Sequence, residues 1–586
     1  MLRGPDARMR LITSLLVAVL LPIVGQLFRL QVLEHARFVA EAEALVRREY
    51  RLPEPAWGCI HDRDGDLLVG NQPVYDVGVD LTLVSDKMEV ARRLAPLLES
   101  SVEALYERMD LSQEEKERGI AWQLLARGVS PETKAQLEAL QLAGLTLTAQ
   151  WKRYYPEGAL AAHVLGFVNQ EGVGVGVQAY HQRFLRGEPV VGEGDVSGMA
   201  EPFPEVLADD ATVPYAGIDL VLTLDRTLQA YVEGELDKAL LKYKADGGTI
   251  LVMDPRTGAI LAMATRPTYE PWRYPEYVAQ GRQEIFQNPA ISHAYEPGST
   301  FKVVTVAAAL DSGRADLDWT YEDKGSVEYG GITVKNWSRA AYGRQDLAGI
   351  LVHSLNVGAA ELTTRVLGAE RFYEYVRAFG FGRPTGVDLA AEAAGVVHMP
   401  TDWDWRDSYL ATNAYGQGIA VTPLQLATAI GAVANDGIMM QPYVVAERRY
   451  PDGWTVSIPP RELGRPISSE TAHTLTTLLE AVVEREVTQA RVPGYRIAGK
   501  TGTAQMPLPG AGVYDPEHVI ASFVGYGPLP DPQVLILVKL DRPAVDPTER
   551  WGSHTAAPVF QTVAERLFVL LGIPPSSSTA QEAGGP

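Results

Sequence analysis

Residues 296–302 read Glu-Pro-Gly-Ser-Thr-Phe-Lys and begin an apolar run that ends near Gly313. The Pro-Gly pair is typical of a helix start, and a glycine at position 313 suits a helix end. Residues 303–310 are apolar on all sides, which predicts a helix buried inside a domain. This buried helix is the element from which we read both the fold and the chemistry of the chain.

Ser299 and Lys302 are three positions apart, so their side chains lie on one face of the first helical turn. This is the geometry of a nucleophile with an activating amine. An ordinary lysine is protonated at neutral pH, whereas burial and a second nearby cation favour the neutral amine. The helix N-terminus would also direct backbone N–H groups at a developing oxyanion. The alternative is a serine that begins a core helix beside a lysine that reaches solvent.

Two later segments favour the catalytic interpretation. Residues 354–356 read Ser-Leu-Asn, and residues 500–503 read Lys-Thr-Gly-Thr. The second pattern is expected by chance well below about once in a hundred chains of this length. Its flanks are typical of a strand whose edge offers N–H and C=O groups to an extended peptide. Lys500 and the hydroxyl groups of Thr501 and Thr503 would hold a carboxylate.

Composition and charge exclude several classes of protein. The chain has 586 residues, of which 46% are hydrophobic and 21% charged, so it is neither wholly disordered nor a polytopic membrane protein. Its net charge of −21 argues against broad nucleic-acid binding, which needs clustered cations. The single cysteine, Cys59, excludes an intrachain disulfide and a metal site built on several thiolates.

The N-terminal segment predicts a membrane anchor. Eighteen residues without a charge run from Leu11 to Phe28, and as a helix they would span about 27 Å. Three arginines precede this run, so residues 1–10 are expected in the cytoplasm and the later chain outside it. A cleaved signal peptide is the alternative. Because no small-x-small site follows the apolar run, we favour a retained anchor.

Hydrophobic patterns in the remaining chain predict a mixed α/β body. Residues 249–253 and 259–264 are β-rich and joined by a turn, and residues 519–526 and 534–540 form a second such pair. The sequence between the two pairs is mostly helical, for example at residues 423–434. The sheet is therefore expected to join segments that are far apart in the chain.

The three motifs resemble the S-x-x-K, S-D-N and K-T-G set of penicillin-binding proteins and serine β-lactamases. Leu355 replaces the central aspartate of the middle motif. Further segments are similar to class B penicillin-binding proteins, and the resemblance covers roughly residues 10–570. They are residues 57–60, 62–65 and 153–158 for the N-terminal module, and residues 379–382, 384–386, 416–418, 421–425 and 521–525 for the transpeptidase domain.

This resemblance implies an α/β (α+β) architecture: a transmembrane helix, a mixed α/β pedestal, and a transpeptidase domain with a central antiparallel sheet flanked by helices. The expected boundaries are a cytoplasmic tail at 1–10, the anchor at 11–28, a linker and dimerisation-type pedestal at 29–220, the transpeptidase domain at 221–570, and a disordered tail at 571–586. One departure is Gln178, which stands where the family usually has glutamate, so a local ion pair is expected to be missing.

The resemblance also implies a role for each motif residue. Ser299 would attack a peptidoglycan stem peptide between its last two D-alanines, Lys302 would accept the proton, and Ser354 would relay a proton to the leaving amine. Asn356, Thr501, Gly502 and Thr503 would bind substrate, with Lys500 acting on the terminal carboxylate. The backbone N–H groups of Ser299 and Thr503 would form the oxyanion hole.

The implied partners are the D-Ala-D-Ala donor peptide, an acceptor amine, β-lactams, the membrane and a membrane-embedded glycan polymerase. No metal, cofactor or nucleic acid is expected. The expected location is the bacterial plasma membrane, with the catalytic domain outside the cytoplasm. The alternatives are a D,D-carboxypeptidase or β-lactamase, in which water replaces the amine, and a non-catalytic β-lactam receptor or scaffold. Residues 295–296 and 521–526 favour a division role over an elongation role.

Overall fold

The computed structural model describes Gln26, Arg29 and residues 47–51, 56–114, 120–169, 171–187, 191–195, 217–507 and 514–576. The predicted cytoplasmic tail, the predicted anchor apart from Gln26, and residues 577–586 lie outside this set. Among the described residues, no helix combines the length and the hydropathy that a membrane crossing requires.

The chain forms two compact units. The smaller unit contains the described residues of 1–56, 74–151 and 187–216, and the larger unit contains those of 57–73, 152–186 and 217–586. Residues 57–73 and 152–186, which fall in the predicted pedestal region, thus belong to the larger unit. The boundaries expected at residues 220 and 570 stay a prediction.

The smaller unit packs three helices against short strands. Asp86, Ser101 and Ser130 each cap a helix by accepting a hydrogen bond from a backbone N–H three residues later. Alternate side chains of the strands face these helices, which buries a small apolar core. Its elements are the helices Lys87–Leu94, Val102–Met109 and Pro131–Ala139, the strand Trp122–Val129, residues 145–151 of the strand Leu145–Tyr154, residues 74–80 of the strand Leu67–Asp80, and the antiparallel pair Arg47–Arg51 and Val191–Asp195.

The larger unit is built on an antiparallel sheet of five strands. They are β1 (Gly247–Met253), β2 (Ile260–Arg266), β3 (Ala498–Pro507), β4 (Tyr514–Gly527) and β5 (Val534–Asp541), in the spatial order β2-β1-β5-β4-β3. The two predicted hairpins are β1–β2 and β4–β5, and both are confirmed. Pairing of β1 with β5 joins the early and late segments, as the patterns predicted. β3 is therefore an edge strand.

Helices pack around this sheet. They include α1 (Arg226–Tyr243), α2 (Lys302–Asp311), α3 (Asn356–Glu361), α4 (Pro423–Ala434), α5 (Ser469–Arg485) and α6 (Ala556–Leu570). Every residue of α4 is buried, and α2 is buried from Lys302 to Ala309. This all-round burial agrees with the apolar sequence of both helices and places α2 in the centre of the unit.

Shorter elements complete the larger unit. Its other helices are Ala162–Leu165, Gly176–Tyr180, Gln182–Leu185, Tyr274–Ala279, Pro289–Ser292, Leu347–Val352, Gly368–Ala378 and Asp407–Asn413, with 3₁₀ turns at Pro271–Arg273, Gln283–Phe286, Gly298–Phe301 and Thr488–Ala490 and a π-helix at Leu362–Leu367. Its other strands are Ile60–His61, Phe167–Val168, Gly174–Val175, Asp219–Leu222, Thr320–Asp323, Ser326–Tyr329, Ile332–Lys335, Gly343–Asp346, Val396–Val397, Ile419–Ala420, Met439–Met440, Val445–Arg449, Thr455–Ser457 and Glu462–Gly464.

Gln178 occupies the position where the sequence departs from the family pattern, and its side chain is fully buried. Its Oε1 accepts a hydrogen bond from Arg153 Nε at 2.9 Å. Its Nε2 donates to the Gly166 carbonyl oxygen at 2.7 Å and to the Tyr155 hydroxyl group at 2.9 Å. The ion pair that a glutamate would form here is thus replaced by hydrogen bonds of a neutral amide. Both the oxygen and the nitrogen of the amide take part in them.

Gln178→Glu is expected to destabilise the protein by about 1–3 kcal/mol, although it adds a carboxylate beside Arg153. A carboxylate has no N–H to donate, so its second oxygen would face the Gly166 carbonyl oxygen inside the protein. Urea unfolding measures the change in the free energy of unfolding. The exposed control Gln283→Glu is expected to change it by less than about 0.5 kcal/mol. A Gln178→Glu protein as stable as wild type would mean that the new ion pair outweighs the lost donors.

Candidate active site

Ser299 lies on a 3₁₀ turn, Gly298–Phe301, that leads directly into α2. The sequence predicted an α-helical first turn, so the type of turn differs from the prediction. In a 3₁₀ helix the side chains at positions i and i+3 are eclipsed. Lys302 Nζ accordingly lies 3.0 Å from Ser299 Oγ. The tighter turn thus brings the two predicted reactive groups into direct contact.

Gly298 lets this turn sit close to strand β3. Its φ of +57° lies in the left-handed region that favours glycine. A Cβ atom at this position would lie 2.9 Å from the Thr503 carbonyl oxygen and would clash with it. The Gly298 N–H donates to the Gly416 carbonyl oxygen at 3.1 Å. The Ser299 turn is therefore held between β3 and the loop that contains Gly416.

Lys302 is completely buried, and oxygen atoms of three motif residues surround its amine. Besides Ser299 Oγ, its Nζ lies 2.6 Å from the Ser354 carbonyl oxygen and 3.2 Å from Ser354 Oγ. Asn356 Oδ1 is 2.7 Å away. The amine can donate to Asn356 and to the carbonyl group while its lone pair faces the Ser299 hydroxyl group.

Burial holds the pKa of the Lys302 amine well below its ordinary value, and the nearby cation Lys500 lowers it further. Both effects disfavour the ammonium form. Lys302 can therefore be neutral at physiological pH and accept a proton from Ser299, as the sequence analysis required.

Ser354 connects the two lysines of the site. Its Oγ lies 3.2 Å from Lys302 Nζ and also 3.2 Å from Lys500 Nζ. The backbone of Ser354 has a φ of +55°, which is uncommon for a residue other than glycine. Such strained backbone conformations are typical of functional positions. Both the carbonyl oxygen and the hydroxyl group of Ser354 reach Lys302 in this conformation.

Asn356 begins α3 and is fixed by two further residues. Its Nδ2 donates to the Lys335 carbonyl oxygen at 3.0 Å, and the N–H of the next residue donates to Asn336 Oδ1 at 3.1 Å. The buried Asn336 in turn donates to both carboxylate oxygens of Asp323. Sequence reasoning missed Asn336 and Asp323, since neither lies in a motif.

Strand β3 brings the third motif to the same place. Lys500 is buried, and its Nζ lies 3.4 Å from Thr501 Oγ1. A Cβ atom at Gly502 would clash with Ser522 Oγ and would lie 2.9 Å from the Pro297 carbonyl oxygen, so only glycine fits there. Thr503 Oγ1 accepts a hydrogen bond from the Gly552 N–H at 3.2 Å. Sequence reasoning also missed Gly552.

Burial lowers the pKa of Lys500 to about 8, and the Glu486 carboxylate partly opposes this effect. Lys500 is thus mostly cationic at neutral pH, when it both attracts a carboxylate and disfavours a second charge on Lys302. Its charge is lost at mildly alkaline pH.

The structure brings five predicted catalytic residues into one network: Ser299, Lys302, Ser354, Asn356 and Lys500. Thr501 adjoins this network through Lys500, and the backbones of Gly502 and Thr503 lie against residues 297–298. The roles of Thr503 in the oxyanion hole and of Thr501, Gly502 and Thr503 in binding substrate stay predictions.

Glu296 precedes the Ser299 turn and forms hydrogen bonds to residues remote in the chain. Its Oε1 accepts hydrogen bonds from the Gly418 N–H at 2.9 Å and from the Tyr514 hydroxyl group at 3.1 Å. Burial raises the pKa of this carboxyl group. Glu296 therefore ties the segment before Ser299 to the 416–418 loop and to the start of β4.

Two groups of described residues outside the motifs have ligand atoms close enough to hold a metal ion. They are Cys59, His61 and Asp219, and His398, Asp402 and Asp404, with ligand atoms within 4.8 Å of one another in each group. Neither group includes a residue of the catalytic network. Among the described residues, neither His293 nor His353 is hydrogen-bonded to that network. His293 Nε2 contacts Gln287 Oε1, and His353 Nδ1 lies 3.8 Å from Glu486 Oε2.

Comparison with known proteins identifies matching domains and relatives. Residues 248–565 match the model of the penicillin binding protein transpeptidase domain, and residues 53–192 match the penicillin-binding protein dimerisation domain. Stage V sporulation protein D of Bacillus subtilis is 33% identical over 90% of this chain and 80% of its own. Penicillin-binding protein PbpB of Mycobacterium tuberculosis is 31% identical over 96% of this chain and 84% of its own.

Solved structures show the same fold. Penicillin-binding protein 3 of Mycobacterium tuberculosis, crystallised with aztreonam, aligns with a TM-score of 0.67 and 28% identity. The alignment covers 89% of this chain and 98% of that protein.

A serine with a buried lysine at the edge of an antiparallel sheet defines a serine acyl-transfer enzyme. The family model and the relatives show more: the chain belongs to the penicillin-binding protein transpeptidases. It is a class B, serine-type peptidoglycan D,D-transpeptidase of cell-wall synthesis.

The two lysines predict a bell-shaped pH profile for acylation. The second-order rate constant for reaction with a β-lactam is expected to rise with pH as Lys302 becomes neutral. It is expected to fall again with an apparent pKa of about 8, as Lys500 loses the charge that binds the carboxylate. Stopped-flow acylation of the free enzyme measures both limbs. If the rate constant of the Lys500→Arg variant fell at alkaline pH just as that of wild type does, the fall could not be assigned to Lys500.

Proposed function

We propose that Ser299 is the nucleophile that opens the bond between the last two D-alanines of a stem peptide. The observation that carries this proposal is the 3.0 Å contact between Ser299 Oγ and the buried amine of Lys302. A hydroxyl group becomes nucleophilic when a base within hydrogen-bond distance takes its proton.

Lys302 is the general base. As Ser299 Oγ attacks the carbonyl carbon, its proton passes to the neutral amine and a tetrahedral oxyanion forms. The resulting ammonium is stabilised by the Ser354 carbonyl oxygen and by Asn356 Oδ1, which already surround it. These oxygens lower the cost of creating a charge inside the protein.

Expulsion of the terminal D-alanine requires a proton on its amine. Ser354 Oγ lies within 3.2 Å of Lys302 Nζ, so it can relay the proton from the new ammonium to the leaving nitrogen. The carbon–nitrogen bond then breaks, free D-alanine leaves, and the stem peptide remains as an ester on Ser299. Lys302 is neutral again after this step.

Substrate lies along the edge of β3 in this proposal, paired as an added strand. Lys500, Thr501 and Thr503 hold the terminal carboxylate, and Asn356 hydrogen-bonds the peptide backbone. The backbone N–H groups of Ser299 and Thr503 stabilise the oxyanion. The close approach of the Gly298 turn to Thr503 supports this pairing of N–H groups.

A second stem peptide completes the reaction. Its amine attacks the ester carbonyl carbon and gives a proton to Lys302. Lys302 returns this proton to Ser299 Oγ as the ester bond breaks, which leaves a new amide bond between two strands. A β-lactam follows the first half of this path and remains on Ser299. Crystals of the related penicillin-binding protein 3 with aztreonam and with ampicillin support binding of such compounds at this fold.

Attack by water instead of an amine would make the protein a D,D-carboxypeptidase or a β-lactamase. The names of the relatives Peptidoglycan D,D-transpeptidase FtsI of Escherichia coli and PenA of Neisseria meningitidis favour the amine. A receptor or scaffold without catalysis is disfavoured by the assembled network of Ser299 and two lysines.

The cellular setting is also a proposal. Residues 11–28 anchor the chain in the plasma membrane with residues 1–10 in the cytoplasm, and a glycan polymerase in the membrane supplies the strands to be cross-linked. The apolar run and its preceding arginines support this arrangement. The residues around Tyr295 and Tyr526 favour a role in division over one in elongation.

Fluorescent penicillin is expected to label wild-type protein covalently and to leave Ser299→Ala unlabelled, because the variant has no hydroxyl group to acylate. Gel fluorescence of purified protein measures the adduct. Ser292→Ala, which removes a hydroxyl group just before the motif, is expected to label like wild type. Labelling of folded Ser299→Ala would show that another residue is the nucleophile.

Removal of residues 1–28 is expected to move the protein from the membrane fraction to the soluble fraction, because these residues carry the apolar run. Immunoblots of fractionated cells measure the distribution, and penicillin labelling of the truncated protein verifies its fold. Continued membrane association of the truncated protein would contradict the anchor.

A further inference from the structure

Lys539 is a third buried lysine of the larger unit, and the mechanism above does not use it. It lies on the central strand β5, and only 4% of its surface is exposed. Its ammonium group pairs with Asp541, two residues later on the same strand. A buried ammonium is costly unless it is paired and further stabilised, so its other contacts are informative.

The strands place Lys539 on the sheet face that supports the nucleophile segment. Its direct neighbours are Ser522 on β4 and Thr249 on β1, and opposite residues of an antiparallel pair project to the same face. Ser522 is in turn opposite Gly502, where a Cβ atom would approach both Ser522 Oγ and the Pro297 carbonyl oxygen. The Ser522 side of the sheet therefore lies against Pro297, two residues before Ser299.

The second stabilising contact of Lys539 is the ring of Tyr295. Nζ lies 5.1 Å from the ring centroid, a distance at which a cation is attracted to an aromatic face. Tyr295 is buried, and its backbone exchanges two hydrogen bonds of 2.9 Å with Val421. The Tyr295 hydroxyl group faces the side chain of Ser522, the direct neighbour of Lys539 on β4. The backbone bridge, the Ser522 side chain and the packing of the ring against Lys539 therefore hold this residue.

We propose that Lys539 is a positioning residue for acylation: paired with Asp541, its ammonium group fixes the ring of Tyr295 and so sets the path of residues 295–298 into the Ser299 turn. This proposal rests on Ser299 as the nucleophile. It assigns to Lys539 no contact with substrate or with the reacting atoms.

A positioning role predicts a specific kinetic effect. If residues 295–298 shift, the distance between Ser299 Oγ and Lys302 Nζ changes, and acylation slows within the bound complex. The carboxylate-binding residues of β3 stay in place, so the initial noncovalent binding of a β-lactam changes little. Small misplacements of a nucleophile reduce rates by factors of ten to about a hundred.

The test is stopped-flow acylation by a chromogenic β-lactam, which separates the acylation rate constant from the noncovalent dissociation constant. Lys539→Met keeps an unbranched side chain only one atom shorter and removes its charge. It is expected to lower the acylation rate constant about tenfold or more with less than about a threefold change in the dissociation constant. Lys539→Arg, which can also stack on an aromatic face, is expected to recover most of the rate.

Two further variants separate positioning from a general loss of stability. Lys242→Met is the control: it removes an exposed lysine whose Nζ lies 4.9 Å from the ring centroid of Tyr243, at a site remote in sequence from Tyr295. This variant is expected to be acylated at the wild-type rate. Tyr295→Leu leaves the Lys539–Asp541 pair intact and is expected to lower the acylation rate constant as Lys539→Met does. The double variant is expected to be no slower than either single variant, because both act through one contact.

A wild-type acylation rate constant in either Lys539→Met or Tyr295→Leu would overturn the proposal, as would additive losses in the double variant. Should Lys539→Met fail to fold, the folded Tyr295→Leu protein decides the question alone. Ser299→Ala in the same series distinguishes the two assignments. Its labelling would refute the nucleophile, whereas a normal rate in Lys539→Met would refute only the positioning role.

Discussion

The contact between Lys302 Nζ and Ser299 Oγ is the interaction on which the catalytic unit depends, since an amine that accepts a proton must be kept out of water. Burial alone would leave an unpaired polar group, which is costly. Hydrogen bonds to oxygens of Ser354 and Asn356 offset this cost. These oxygens accept from the neutral amine in the resting protein and stabilise the ammonium once a proton has been taken up. One arrangement thus serves both the folded state and the reaction.

Three distant segments must meet for this contact to exist, and the five-stranded sheet makes that meeting possible. β1 from the first part of the larger unit pairs with β5 from the last part, which fixes β3 at the edge. The glycine at 298 and the glycine at 502 then allow the nucleophile turn to approach that edge more closely than a side chain would permit. Backbone proximity, more than side-chain reach, determines where Ser299 stands relative to Thr503.

Much of this arrangement could be predicted from the sequence because its signals are local. The hairpins β1–β2 and β4–β5 and the buried helix α2 follow from periodicity and turn residues, and the motif residues follow from a family resemblance. The 3₁₀ form of the Ser299 turn could not be predicted, since it arises from packing against β3 and the Gly416 loop. The hydrogen bonds of Glu296 go to residues remote in the chain, Gly418 and Tyr514, which no local pattern predicts.

The residues that support the site also could not be predicted from the sequence. Asn336 and Asp323 lie outside every motif, and their importance appears only when α3 is seen to start at the Asn336 side chain. A lysine in a strand is usually exposed, so nothing in the sequence indicates that Lys539 is buried. Its pairing with β1 and β4 places it in the middle of the sheet. Long-range register and burial, which no local pattern contains, decide the role of such residues.

The central claim is that Lys302 is a neutral amine in the resting enzyme at neutral pH. Nitrogen-15 NMR of lysine-labelled protein tests it directly, since the Nζ chemical shift distinguishes an amine from an ammonium, and Lys302→Arg identifies the resonance. The account predicts that at neutral pH Lys302 Nζ has the chemical shift of an amine, whereas Lys500 Nζ has that of an ammonium. An ammonium shift for Lys302 under those conditions would contradict it, because a protonated lysine cannot take the proton of Ser299.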